Sequence, residues 1–107
     1  MRIVLDAMGS DRAPGVDVAG AVQAARRFGQ AAKLHEKTEI ILVGREKEIR
    51  HELAKHDAEG LPLSVVHASQ VVEMREHPSE AVRRKPNSSM VVGMGLIREG
   101  KADAFVS

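Results

Sequence analysis

Short, continuous apolar runs alternate with segments of helical periodicity along this chain of 107 residues. Runs that are apolar throughout are typical of parallel strands covered on both faces. The sequence therefore predicts a doubly wound α/β fold with a mostly parallel sheet and right-handed crossovers. The predicted strands are Arg2–Asp6, Thr38–Val43, Leu63–Ala68 and Asp103–Ser107.

The segments between these runs predict helices. Pro14 opens a stretch in which apolar residues recur at helical spacing. The segment Arg45–His56 also has apolar residues four positions apart. Pro78–Lys85 and Ser89–Glu99 predict two further helices, separated by a Pro-Asn break. The buried stripe of the first helix is predicted to consist of Val18, Ala21, Val22, Ala25, Phe28 and Ala32.

The composition excludes several classes of function. Phe28 and Phe105 are the only aromatic residues, so the chain cannot stack bases along a groove, and nucleic acid binding is not expected. The absence of cysteine excludes disulfides and thiolate metal sites. No apolar run reaches the length of a secretory signal or a membrane span, so we expect a cytoplasmic location.

A polar loop follows the first predicted strand and contains Asp6, Gly9, Ser10 and Asp11. Ligands in open α/β sheets bind beyond the carboxyl ends of the strands, which is where this loop begins. Gly9 allows a close approach of backbone to a ligand, and the helix that begins near Pro14 offers free N–H groups to an anion. The alternative is an acid-capped turn with solvated polar residues.

A second candidate anion site lies around the predicted start of the last helix. Arg83 and Lys85 supply positive charge, and Ser88 and Ser89 supply hydroxyl donors at the positive end of a helix. The alternative is a solvated basic face followed by an ordinary serine cap.

Two motifs resemble cofactor or metal sites but lack the required spacing. Gly93 and Gly95 lie inside a predicted helix without the third glycine of a dinucleotide fingerprint, so close helix packing explains them better. His51 and His56 are five positions apart, which is about 140° around a helix, so they cannot share one metal ion. No metal site is expected.

Two long stretches of the chain carry the signatures of a known family. The first is Ile3–Asp11 with Ala13 and Pro14 after it, and the second comprises Gln70–Met74, Pro78, Ala81–Arg83, Lys85 and Ser88–Met90. Both stretches resemble the PlsX family of phosphate acyltransferases, and the ending Ala104–Ser107 is similar to a strand of that family that leads into a Gly/Asn-rich turn. We therefore expect residues 1–107 to form the N-terminal part of a single α/β catalytic domain.

The resemblance implies an enzyme of phospholipid synthesis that moves a fatty acyl group from acyl carrier protein to inorganic phosphate, giving acyl phosphate. It also implies a Rossmann-like fold related to phosphotransacetylases, a homodimer, and peripheral membrane contact through a region outside this chain. No metal or organic cofactor is expected. We expect residues 1–107 alone to be inactive.

Phosphate is partly dianionic near neutral pH, so its attack on a thioester needs positioning more than a strong base. Lys85 is expected to hold phosphate or the developing oxyanion. Carboxylates repel phosphate, so Asp6 and Asp11 are expected to shape the loop or orient Lys85 or Ser10, with general-base catalysis as the alternative. The predicted catalytic residues are Asp6, Asp11 and Lys85, and the predicted phosphate-binding residues are Gly9, Ser10, Arg83, Ser88 and Ser89.

Two other classes of function remain as alternatives. The first is a non-enzymatic α/β module that binds an anion or a protein. The second is a nucleotide-dependent oxidoreductase, which needs a glycine fingerprint after the first strand and an acidic residue at the end of the second. The sequence has Ala7–Ser10 and Val43-Gly44 at these places, which disfavours the oxidoreductase.

Overall fold

The computed structural model describes residues 1–30, 38–72 and 77–106. The predicted strands and helices are all present, with ends that differ by at most three residues among the described residues. Ala32, Glu73, Met74 and Ser107, which carry parts of the predictions, lie outside the described residues. The elements are β1 (Arg2–Asp6), α1 (Gly15–Gln30), β2 (Glu39–Gly44), α2 (Glu46–Leu53), β3 (Leu63–His67), α3 (Pro78–Arg84), α4 (Ser89–Arg98) and β4 (Ala104–Val106).

The largest difference from the prediction is the end of α2, which stops at Leu53 rather than at His56. The backbone N–H of Lys55 donates to the carbonyl of Glu52, and that of His56 donates to the carbonyl of Leu53. These bonds span three residues instead of four, so the chain tightens into a turn where the α-helix was predicted to continue.

The four strands form one parallel sheet in the order β3-β2-β1-β4, which confirms the predicted α/β fold. β1 lies between β2 and β4, with Asp6 opposite Val43 and Leu5 opposite Val106. Along the chain, β2 and β3 are added on one side of β1, and β4 is then added on the other side. The strand order therefore reverses between β1 and β4, and this is the switch point at which open α/β sheets bind ligands.

Both faces of the sheet are covered, as the continuous apolar runs predict. Along β2, Ile40 and Leu42 belong to a core cluster shared with α1 and α2. Ile41 and Val43 belong to a cluster on the opposite face, where Val92 and Leu96 of α4 pack. No helix in the described ranges has the length and apolar character needed to cross a membrane.

Close packing explains one of the two glycines in α4. A Cβ added at Gly93 would lie 2.5 Å from Phe105 Cε2 and 3.1 Å from Val4 Cγ1, so a side chain there would collide with the sheet. A Cβ added at Gly95 would meet no atom within 4 Å. The packing explanation is confirmed for Gly93 and does not extend to Gly95.

We predict that Gly93→Ala lowers the free energy of unfolding by about 1–3 kcal/mol, because the extra methyl group overpacks the contact with Phe105. Gly95→Ala is the matched control, and it should leave stability unchanged or raise it by up to about 1 kcal/mol through helix propensity. The chain has no Trp or Tyr, so urea unfolding is best followed by far-UV circular dichroism. Equal stabilities of the two variants would contradict the packing at Gly93.

Candidate functional site at the carboxyl edge of the sheet

A cavity of about 280 Å³ opens at the carboxyl edge of the sheet. Three segments surround it: the loop after β1, the start of α2 and the segment after β3. We call it the carboxyl-edge cavity, and its lining residues are Met8, Gly9, Ser10, Asp11, Ala13, Arg45, Glu48, Val71 and Val72. The fold thus brings the predicted residues Gly9, Ser10 and Asp11 to one cavity.

Asp6 is buried and directs its carboxylate into its own loop. Its Oδ1 accepts a hydrogen bond from the Met8 backbone N–H at 3.0 Å, and its carbonyl accepts one from the Gly9 N–H at 3.3 Å. The Ala7 N–H donates to the Val43 carbonyl of β2 at 2.9 Å. Asp6 therefore fixes the direction in which the loop leaves β1, as Asp side chains do in tight turns.

The loop also rests on Gly44 at the end of β2. A Cβ added at Gly44 would lie 2.6 Å from Met8 Cγ and 3.0 Å from Ile49 Cδ1. Only a glycine leaves room for the buried Met8 side chain at this place. In the sequence Gly44 is only the residue that follows a predicted strand, because its position beside the first loop depends on the register of β1 and β2.

Ser10 links the loop to the first turn of α1. Its hydroxyl donates to Asp17 Oδ2 at 2.7 Å, and its carbonyl accepts from the Ala13 N–H at 3.2 Å. Asp17 is also the acidic residue in the first turn of α1, where a negative charge stabilises a helix. Ser10 and Asp11 are both exposed to solvent at the cavity.

Ser88 is the N-cap of α4, and its hydroxyl oxygen accepts from the Val91 N–H at 3.2 Å. Ser88 and Ser89 are both buried, and neither belongs to the lining of the carboxyl-edge cavity described above. Gln70 ties the segment after β3 to this helix start, since its N–H donates to the Asn87 carbonyl and its own carbonyl accepts from the Ser89 N–H. The cap therefore positions the wall that carries Val71 and Val72.

Lys85 reaches the cavity wall from the end of α3. Its Nζ donates to the Val71 carbonyl at 2.8 Å, and the contact is partly buried. Because Val71 lines the cavity, the ammonium charge of Lys85 lies next to its wall. Arg83 is exposed in the last turn of α3 and is not among the residues that line the cavity.

Arg45 lines the cavity but is not among the residues predicted from the sequence. It is the first residue after β2 and the N-cap of α2, and its side chain is about half exposed. Its Nε donates to the Ser69 carbonyl at 3.3 Å, and a terminal nitrogen lies 3.7 Å from Glu48 Oε2. The sequence signal that could have identified Arg45 as a site residue is its position just beyond the carboxyl end of a predicted strand.

The cavity offers donors and positive charge to a small anion. The Arg45 guanidinium can bind an oxyanion through two N–H groups. The Lys85 ammonium does not line the cavity, but its charge next to Val71 adds electrostatic attraction for an anion. Asp11 and Glu48 contribute negative charge, which opposes the binding of an anion. Among the described residues, no group of three or more His, Asp or Glu side chains is placed to hold a metal ion.

Comparison with known proteins gives matches along the whole chain. Residues 1–107 match the family described as "Fatty acid synthesis protein". The chain is 56% identical over 107 residues to a phosphate acyltransferase of Herpetosiphon aurantiacus, 49% identical to one of Geobacter sulfurreducens and 48% identical to one of Geotalea daltonii.

These alignments cover 100% of this chain but only 27% of the Herpetosiphon relative and 29% of the other two. The chain thus spans less than a third of the length of these curated relatives. The family match covers both stretches that carry the PlsX resemblance, including the loop after β1 and the segment that leads into α4. The chain therefore belongs to the fatty acid synthesis protein family, to which its resemblance to PlsX proteins pointed.

Proposed function

We propose that this chain supplies part of the active site of a phosphate acyltransferase, which moves a fatty acyl group from acyl carrier protein to inorganic phosphate. The observation that carries this proposal is the 56% identity, along the whole chain, to a relative named phosphate acyltransferase. The geometry supports it, because a small cavity lined by Arg45 and by the loop after β1 lies at the carboxyl edge of the parallel sheet. Phosphate is proposed to bind in the carboxyl-edge cavity.

The proposed reaction needs positioning more than proton abstraction. A phosphate oxygen attacks the thioester carbonyl carbon, a tetrahedral oxyanion forms, and the C–S bond then breaks to release the carrier thiol and acyl phosphate. A thiol leaves readily as thiolate, because its ordinary pKa is only about 8.5. Arg45 and Lys85 are proposed to hold phosphate and to stabilise the developing oxyanion.

The assay is phosphate-dependent release of carrier thiol from acyl carrier protein, followed with a thiol-reactive dye. A chimaera in which this chain replaces the matched region of the Herpetosiphon relative should release thiol only when phosphate is present. Residues 1–107 alone should release no thiol. No release by a folded chimaera, where the unmodified relative is active, would contradict the acyltransferase assignment and favour a non-enzymatic binding module.

Lys85→Ala in the same chimaera should lower turnover by about 100-fold and raise the KM for phosphate, because a charged donor beside the cavity is lost. Lys101→Ala is the matched control. Lys101 pairs with Glu99 at 3.2 Å and precedes β4, at the opposite edge of the sheet. Unchanged phosphate kinetics in Lys85→Ala would remove Lys85 from the site.

Two substitutions of Asp6 distinguish a loop-forming role from a role as general base. Asp6→Asn keeps an oxygen that accepts from the Met8 N–H, so it should retain most of the turnover. Asp6→Ala leaves that N–H without its acceptor and should destabilise the protein by about 1–3 kcal/mol while lowering turnover. A general base requires the carboxylate itself, so a loss of about 100-fold or more in a stably folded Asp6→Asn would contradict the loop role.

We further propose that the complete enzyme is a cytoplasmic homodimer that receives its acyl group from acyl carrier protein. Peripheral membrane contact is proposed through a region outside residues 1–107. These proposals rest on the PlsX resemblance, which the family match supports. Sedimentation of the chimaera with and without lipid vesicles measures both the assembly and the membrane contact.

A further inference from the structure

The first turn of α2 is capped by a side chain from a neighbouring strand. The N-cap residue is Arg45, whose side chain makes no capping hydrogen bond, because a guanidinium has no acceptor to offer a helix N–H. The Glu46 backbone N–H donates instead to Nδ1 of His67 at 3.2 Å. His67, the last residue of β3, therefore supplies the acceptor that the N-cap residue lacks.

The register of β2 and β3 places His67 at this helix start. His67 is paired with Gly44 at the end of β2, and the Ala68 N–H donates to the Gly44 carbonyl at 2.8 Å. α2 begins two residues after Gly44. Because the two strands are parallel, the end of β3 and the beginning of α2 meet at the same edge of the sheet.

A second hydrogen bond joins the same two segments through Arg45. Its Nε donates to the Ser69 carbonyl at 3.3 Å, and Arg45 lines the carboxyl-edge cavity. Arg45 and Glu46 are adjacent in the chain, and their two acceptors lie two residues apart on the segment that ends β3. The bond to His67 therefore restrains the backbone that carries the Arg45 side chain.

Only one form of the His67 ring makes this bond. An acceptor at Nδ1 requires the neutral imidazole with its proton on Nε2. In the charged imidazolium both nitrogens bear protons, so Nδ1 would face the Glu46 N–H as a second donor and the bond is lost. The positive charge would also lie at the positive end of the α2 dipole. Histidine side chains change charge between about pH 5 and 8.

The charged groups around His67 balance one another. Four charged residues at the start of α2 line a hollow with His67 and Ser69, two of them cationic and two anionic: Arg45, Glu46, Lys47 and Glu48. On β2 the paired residue is Gly44, and α1 contributes apolar core residues beside Leu63 and Val65 of β3. Loss of the hydrogen bond is thus the main consequence of protonation among the described residues.

We propose that neutral His67 is a positioning residue for Arg45, which caps α2 and holds Arg45 at the carboxyl-edge cavity, so that protonation of His67 weakens anion binding there. The part that Arg45 plays in phosphate binding rests on the proposed function. The competing effect is direct attraction between the imidazolium and the anion, which strengthens binding at low pH. The sign of the pH dependence distinguishes the two.

The tautomer of His67 tests the cap itself, without any ligand. Nitrogen NMR signals of the neutral ring should show the proton on Nε2, and the amide signal of Glu46 should follow the titration of the ring. A neutral ring with its proton on Nδ1 would overturn the proposal, since that nitrogen could not accept from the Glu46 N–H.

Sulfate binding tests the link to Arg45, because sulfate keeps its charge over the pH range in which phosphate changes its own. Its Kd, measured from amide shifts at Gly9 and Arg45, should rise about threefold or more from about pH 7.5 to about pH 5.5. In His67→Asn the amide oxygen can accept from the Glu46 N–H without titrating, so the Kd should stay at its neutral-pH value.

Two further variants complete the comparison. His67→Ala has no acceptor for the helix N–H, so its Kd for sulfate should be raised at both pH values. His51→Asn is the matched control, because His51 is exposed in the last turn of the same helix, away from the capped end. It should retain the pH dependence of the unmodified chain.

A Kd that is unchanged or lower at the acidic pH, or a pH dependence that persists in His67→Asn, would overturn the positioning role. Absence of sulfate shifts at the cavity would overturn it together with the proposed phosphate site. Failure of the acyltransferase assignment has a different result. Sulfate binding would then depend on His67 as expected, while the folded chimaera released no thiol.

Discussion

Parallel pairing on both edges of β1 determines how the chain crosses the sheet. β1 pairs with β2 along its whole length and with β4 from Ile3 to Leu5, so the chain must cross the sheet to reach its second neighbour. Parallel strands end at a common edge, and the reversal of strand order leaves a crevice there. The loop after β1 begins at this edge, and it lines the carboxyl-edge cavity together with the start of α2 and the segment after β3.

Interactions within the backbone and its nearest side chains hold this loop. Asp6 accepts from the Met8 N–H, Gly44 makes room for the Met8 side chain, and Ser10 donates to Asp17. The buried Asp6 carboxylate thereby serves the loop. The cationic groups come from other elements, with Arg45 at the start of α2 and Lys85 after α3.

The fold could be predicted from the sequence because burial on both faces requires strands that are apolar throughout, as in Glu39–Gly44. The site could be predicted only in part. Gly9, Ser10 and Asp11 follow β1 directly, whereas Arg45 joins them through the register that sets Asp6 opposite Val43. The spacing of residues along the sequence does not reveal the register between two strands. Ser88 shows the limit of a local motif, since a serine at a helix start suits an anion site and an N-cap equally well.

The other proposals depend on the binding of inorganic phosphate in the carboxyl-edge cavity, which amide NMR can detect during a phosphate titration. Saturable shifts are expected at Gly9, Ser10, Arg45 and Val71, with little change at Lys101 and Asp103 before β4. Shifts spread over the exposed basic residues of α3, or no saturable shift at the cavity, would contradict it.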